Sequence, residues 1–375
     1  MSSSAQRLLP VTAAVTAAGA GLALGAPSGQ WLPAALWHLV FAVGALPMIL
    51  SAMAYFVPVL TRSGVAPRWL ALAPLTALAA GLGIVVFFLH GAPVLRLAAP
   101  WLALAALAGF AGWLGWRWQR CLGRPNPCLA WYAAALALLG AGLLAVAVAP
   151  GLPGQAHALR VLHLHLNTLG FMGLTALGTL QVLLPTIAGS PDPSAVQRLS
   201  ADLKWSVLGA LLIGVGAAWW VPLVFLGTLA YAWPLLRLLS HALRAWGPKI
   251  VGSGDTVPLL VAAAGGLGLV LGHGLLHTVA PATAAGIIPL FVIAFLLPLV
   301  SGAAGHLLPV WLRPGVQSPW HGIRRRQLAF GARGRALLLL GGGLLATLVP
   351  APGYALGAFG ALWLIVSMLR AAFTR

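Results

Sequence analysis

The chain contains no glutamate and only three aspartates, Asp192, Asp202 and Asp255, in 375 residues. Charged residues make up 6% of it, whereas soluble domains carry about a quarter, so a soluble globular protein is excluded. Paired carboxylates for general acid–base chemistry and an oxygen cage for Mg or Ca are excluded with it. The three aspartates fall in or beside the expected inner loops, so no carboxylate is expected inside the spans. Cysteine is nearly absent too. Cys121 and Cys128 lie seven positions apart in the run RCLGRPNPCL, without the tight spacing of a zinc or redox motif, and no function is expected of them.

Apolar sequence fills the space. Hydrophobic residues make up 61% of the chain, and a spanning helix needs about 20 of them in succession. Arg, Pro and Gly interruptions divide the chain into twelve such segments, near 8–26, 31–60, 69–91, 97–118, 127–149, 157–187, 202–219, 221–243, 256–278, 283–312, 335–350 and 351–373. The fold class expected is an all-α polytopic membrane protein of twelve transmembrane helices in one domain. The first segment, rich in Ala and Gly behind Arg7, also has the features of a signal sequence, and its retention is expected.

A net charge of +18 in a soluble protein would point to nucleic acid. Here the cations sit between apolar segments, so the expected partner is the lipid bilayer and not nucleic acid. Lys and Arg collect in cytoplasmic loops. With both termini inside, nineteen of the 21 cations fall on the inner side, and only Arg96 and Arg160 fall outside. This places the chain in the cell's inner (plasma) membrane with cytoplasmic termini. The basic stretch VQSPWHGIRRRQLAF is expected to lie on anionic headgroups.

Three of the segments share a pattern. His38–Pro58, His165–Pro185 and Pro289–Pro309 have equal length, Leu at the second position and a closing Pro, and the closing prolines lie 127 and 124 residues apart. That spacing predicts three pseudo-repeats of four helices, about 1–125, 126–250 and 251–375, with the second, sixth and tenth spans as the long members.

Ten histidines in so apolar a chain need partners wherever they are buried. Seven of them, His38, His90, His157, His163, His165, His273 and His277, fall toward the outer face in this topology. His273 and His277 are four apart, about 40° around a helix, and can aim at one ligand. His163 and His165 diverge by about 160°, so one of them faces the interior, and His165 matches His38 in the repeat. Neutral imidazole ligates iron, copper and zinc well. The candidate metal ligands are therefore His38, His163, His165, His273 and His277, with His38, His165 and His273 foremost. Gly268 and Gly272, in GGLGLVLGHG, are expected to let the ninth span approach another helix or a porphyrin. Arg96 and Arg160 are candidate partners for haem propionates, or interfacial cations. His241 and His321, in basic loops, are expected to be solvated.

The twelve spans, the three four-helix units and the outer histidines together resemble the haem-copper oxidase superfamily. Trp37-His38 and the run HLHLNTLGFMGLTALGTLQVLLP are also similar to segments of its divergent NnrS-type relatives. The resemblance implies a catalytic-subunit-I-like fold, haem and copper as cofactors, and an electron-donor cytochrome subunit as partner. It also implies His38 as a haem ligand, and it puts His163 and His165 on the helix that supplies copper ligands.

This sequence departs from that pattern in several places. The seventh span, KWSVLGALLIGVGAAWW, lacks a histidine pair, and the tenth lacks His-x-His and carries Pro289 instead. Leu169 stands where a tyrosine would follow the sixth-span ligand, and the acids of a proton path are missing. The function expected is a haem- or haem-copper-binding membrane protein, an oxidoreductase if it is an enzyme. It would bind, sense or transform a small diatomic gas, nitric oxide ahead of dioxygen, without proton pumping. A transporter for a metal ion or small apolar solute, or a catalytically silent assembly subunit, are the alternatives.

Overall fold

The computed structural model describes residues 8–25, 32–252 and 254–373. The expected cations Arg7 and Arg375 lie outside them. The chain forms helices α1 (Leu9–Gly25), α2 (Pro33–Leu60), α3 (Arg68–His90), α4 (Pro93–Gln119), α5 (Cys128–Gly151), α6 (Pro153–Ala188) and α7 (Ala195–Trp219). It continues through α8 (Pro222–Gly252), α9 (Val257–Val279), α10 (Ala282–Leu312), α11 (Pro319–Ala329), α12 (Ala332–Leu348) and α13 (Pro350–Phe373). This is a multi-pass membrane protein.

Among the described residues, eleven helical runs are long and apolar enough to span a bilayer, against the twelve expected. Helix α1, at 17 residues, falls short of that length. The run Pro319–Leu348 counts once, although Gly331, with φ of 67°, breaks it into α11 and α12. Only glycine adopts that left-handed backbone without steric cost.

Three helices are interrupted near their middles by wide π-helical turns, Leu39–Ala45 in α2, Leu166–Gly173 in α6 and Phe291–Leu296 in α10. Proline explains two of them. Pro47 and Pro298 follow directly after the turns and have no N–H for the carbonyl four residues back, so the ladder shifts by one residue. In each case the residue before the proline donates instead to the carbonyl five back, Leu46 to Phe41 and Leu297 to Val292. Helix α6 has no proline there. Its shifted carbonyl, Leu169 O, takes the Leu174 N–H and also the Tyr231 hydroxyl of α8 at 2.9 Å.

The packing around the three turns follows one pattern. The first turn lies between α1 and α3, the second between α5 and α7, and the third between α9 and α12. Helix α3 pairs with α4, α7 with α8 and α12 with α13. In turn, α4 packs on α5, α8 on α9 and α13 on α1, which closes the bundle into a ring. Close approach depends on small residues at the turns. A Cβ on Gly44 would sit 2.5 Å from Thr16 Oγ1, one on Gly81 2.5 Å from Ala42 O, and one on Gly343 2.6 Å from Ala294 Cβ.

The glycines expected to bring α9 close to a neighbour are not the ones that do so. Gly272 has nothing within 4 Å of a built Cβ, and Gly268 meets only Leu235 at 3.8 Å. Gly266 is the close one, its Cβ position overlapping the Ala294 carbonyl of the third π turn. Two other expectations fail on the basic face. Helix α7 begins at Ala195 and not at 202, so Asp202 is inside a spanning helix, 1% exposed and 2.6 Å from Arg237 of α8. The start was misjudged because Arg198 is buried with it, tied at 2.5 Å to Asp192. Burial works against the Asp192 carboxylate, but hydrogen bonds from Arg198 and Ser194 hold it down to about 2.

His321 is buried rather than solvated. Its ring accepts from the Ser318 N–H in a capping box at the start of α11 and reaches Arg313 O at 2.8 Å. His241 is half-buried, 3.0 Å from Asp192 Oδ2. In so acid-poor a chain even the imidazoles expected in loops sit in helices and serve buried polar groups.

Candidate functional site

The candidate site lies on the face away from the basic loops, where α2 and α6 begin and α3, α5 and α9 end. His38 and His165 each stand immediately before a π turn, as its N-cap residue. Both rings point back along their own helix. His38 Nδ1 meets Ala34 O at 2.8 Å, and His165 Nδ1 meets Val161 O at 2.9 Å. A carbonyl only accepts, so Nδ1 carries the proton in both rings and Nε2 keeps its lone pair. This is how a protein fixes the tautomer of a metal-binding histidine. Both side chains are half-buried, and the His38 ring is braced by Phe88, centroid to centroid 4.9 Å.

His163 is spent differently. Its Nδ1 donates to Gly142 O of α5 at 2.9 Å; the Asn167 amide nitrogen lies 2.9 Å from Nδ1 and 3.2 Å from Nε2, and with Nδ1 donating, its N–H is left to Nε2. Asn167 is thus the internal hydrogen-bonding group its place on an apolar helix calls for. His273 Nε2 donates to Thr283 O at 3.0 Å and ties α9 to the first turn of α10. His277, one turn on, has a buried Nδ1 without a hydrogen-bond partner.

The structure brings these rings together in pairs. His163 lies within electrostatic range of His38, and His165 within range of His277. His277 is the α9 imidazole that interacts electrostatically with His165. Among the described residues, no group of three or more His, Cys, Asp or Glu side chains is gathered as for a metal ion. The third π turn has no imidazole. Leu290 is the N-cap of that turn, with Pro289, the residue aligned by the closing prolines, one position earlier, and Phe291 is 2% exposed and packed edge-on against Phe41 and Phe295.

His90 and His157 are exposed, as are Arg96 and Arg160. The Arg96 guanidinium lies 6.0 Å from the centre of the Phe87 ring, the posture of an interfacial cation. Sequence reasoning found His38 and His165 through the repeat. It placed His273 ahead of His277 although spacing gives both the same face, and it is the carbonyl of Thr283 that separates them.

A haem or a copper ion needs neutral imidazole nitrogens with free lone pairs. His38 and His165 present such nitrogens, and His277 adds a buried ring nitrogen with no other partner. These nitrogens suit a haem iron, whereas the further gathered ligand that a copper ion needs is not brought together among the described residues. His163, with both nitrogens occupied, does not.

No family model matches the chain. A 58-residue segment, 15% of the chain, is 38% identical to cytochrome c oxidase subunit 1 of Thermus thermophilus. The match covers 54% of that relative, so the chain spans about half of its length. Over that segment alone the chain is similar to a cytochrome c oxidase subunit 1.

Proposed function

We propose that this protein is a haem-binding, and in part copper-binding, membrane protein of haem-copper oxidase type that takes up a small diatomic gas, nitric oxide ahead of dioxygen. One observation carries the reading. Two histidines at matching places in two helices each have Nδ1 held by the carbonyl four residues back, with Nε2 free, next to a π turn. Such turns are frequent at functional sites. Three pseudo-repeats of four helices underlie the arrangement in this reading, and the recurrent packing of the π turns supports them.

His38 and His165 would hold the group, with His277 as the further imidazole beside His165. A bound haem iron or copper would supply a reducible centre able to interact with a diatomic gas. What the chain's own residues do is orient and exclude. The Ala34 and Val161 carbonyls set the tautomers, and Phe88 braces the His38 ring. Exposed on the same face, Arg96 and Arg160 are the cations available to propionates. Protons reach this site from the histidine face, without pumping. Asp192 and Asp255 lie outside the spans, and Asp202 is bound to Arg237.

The reduced protein is expected to change its visible spectrum on addition of carbon monoxide or nitric oxide, and His277→Ala to shift that change. Absence of any gas-dependent spectrum in haem-loaded protein would remove the gas reading. The site's orientation is tested separately. Cysteine labelling should reach residues 150–156 and 279–282 from outside the cell and the 313–335 loop only from within, as the cation asymmetry predicts. Labelling of the 313–335 loop from outside would reverse the topology.

A second reading, transport, gains from the Asp202–Arg237 pair, because intramembrane charges mark ion and solute pathways. Vesicles that accumulate a solute in proportion to a proton gradient, with no gas-dependent spectrum, would favour it.

A further inference from the structure

The basic face carries a crevice of about 450 Å³ between the loop before α3 and the end of α4, lined by Pro67, Trp69, Gly112, Trp113, Trp116 and Arg117. Its wall offers donors without acceptors. Trp113 is 3% exposed, and its indole N–H has no hydrogen-bond partner. The Arg117 Nε–H is buried and unpartnered as well. That guanidinium is held in place rather than free, with Nη2 donating to Val65 O at 3.1 Å and the group lying 5.7 Å and 5.2 Å from the Trp113 and Trp116 rings. The Arg120 guanidinium lies 5.0 Å from the Trp116 ring as well. Arg62, Arg68 and Arg124 flank the same two loops. No carboxylate balances them, since Asp192 is bound to Arg198, Asp202 to Arg237, and Asp255 accepts the Val257 N–H.

We propose that this crevice binds the phosphate headgroup of an anionic phospholipid. Buried N–H groups left unpaired cost free energy that an acceptor-only ligand recovers. A phosphodiester presents acceptor oxygens and a negative charge, which match an indole N–H and a fixed guanidinium. The rest of the wall selects a lipid over a soluble anion. Trp69 and Trp116 are exposed apolar rings at the ends of spanning helices, the level at which tryptophan meets headgroups, and a cation cluster at that level attracts anionic lipid. This site is independent of the histidines on the opposite face.

The test is native mass spectrometry of the full-length protein in detergent, with dioleoylphosphatidylglycerol or dioleoylphosphatidylcholine added in equal amounts. A single phosphatidylglycerol adduct should predominate. Trp113→Phe, which keeps the ring and removes the N–H, and Arg117→Gln should each lower its occupancy about tenfold. Arg117→Lys should fall between, and Arg333→Gln, at the start of α12, should leave it unchanged. If Trp113→Phe does not fold, the arginine pair decides alone. Equal binding of the two lipids, or undiminished phosphatidylglycerol binding by folded Arg117→Gln, overturns the proposal. Inorganic phosphate that displaces the lipid adduct at millimolar concentration would place a free anion there and overturn the lipid assignment.

Discussion

His38→Ala will purify as a folded protein with its Soret absorbance reduced by at least about tenfold relative to the unaltered chain. The ring's structural contribution is small. It makes one hydrogen bond to its own helix and one ring contact, a net effect of about 1 kcal/mol. Its chemical contribution in the proposed site is a coordinating nitrogen, and even outer partners of such ligands change affinity by roughly 10–100-fold. His165→Ala should behave alike. His163→Ala should keep the absorbance, because both nitrogens of that ring are already occupied. The measurement is the ratio of Soret to protein absorbance after expression in haem-replete cells. A His38→Ala protein with the full band would remove His38 from the site. A colourless unaltered protein with no transition metal by elemental analysis would leave these histidines as hydrogen-bonding groups.

Gly266→Val is expected to prevent the formation of stable protein. The new Cβ would overlap the carbonyl of Ala294, which is backbone of the third π turn in a core where Val292, Ile293, Ala294 and Phe295 are fully buried. A flexible side chain can give way, but two packed helix backbones cannot without moving apart. Gly272→Val, six residues along the same helix with nothing within 4 Å, is the control. Fluorescence-detected size-exclusion and thermal melting in mild detergent read the difference. The valine at 266 should abolish the monodisperse peak or lower the melting temperature by roughly 5 °C or more, while the valine at 272 leaves both near the unaltered values. Equal behaviour of the two variants would show that α9 and α10 are not packed backbone to backbone at this point.

The membrane class, most of the spans and the three long helices with their closing prolines were legible because the bilayer constrains composition directly. A spanning segment must be apolar for about 20 residues, and the cations must lie between such segments. The matched His38 and His165 were legible for a related reason, since a polar ring in an apolar helix stands out and the proline spacing gave its register. The start of α7 was not. Asp202 and Arg198 look like loop residues until Arg237 and Asp192 are seen to neutralise them, and a pairing across two helices leaves no trace in local hydropathy.

The sequence by itself thus determined that this is a multi-pass membrane protein and which two long helices carry the matched imidazoles. Only the tertiary structure decided which nitrogens remain free. His163 and His165 differ by the carbonyl of Gly142 and the amide of Asn167, and His273 and His277 by the carbonyl of Thr283. It also decided that α9 meets α10 at Gly266 rather than at Gly268 or Gly272. The physical reason is common to these cases. Helical spacing fixes the direction of a side chain around its own axis, but availability for a ligand, or for a close approach, depends on what a neighbouring helix places opposite it.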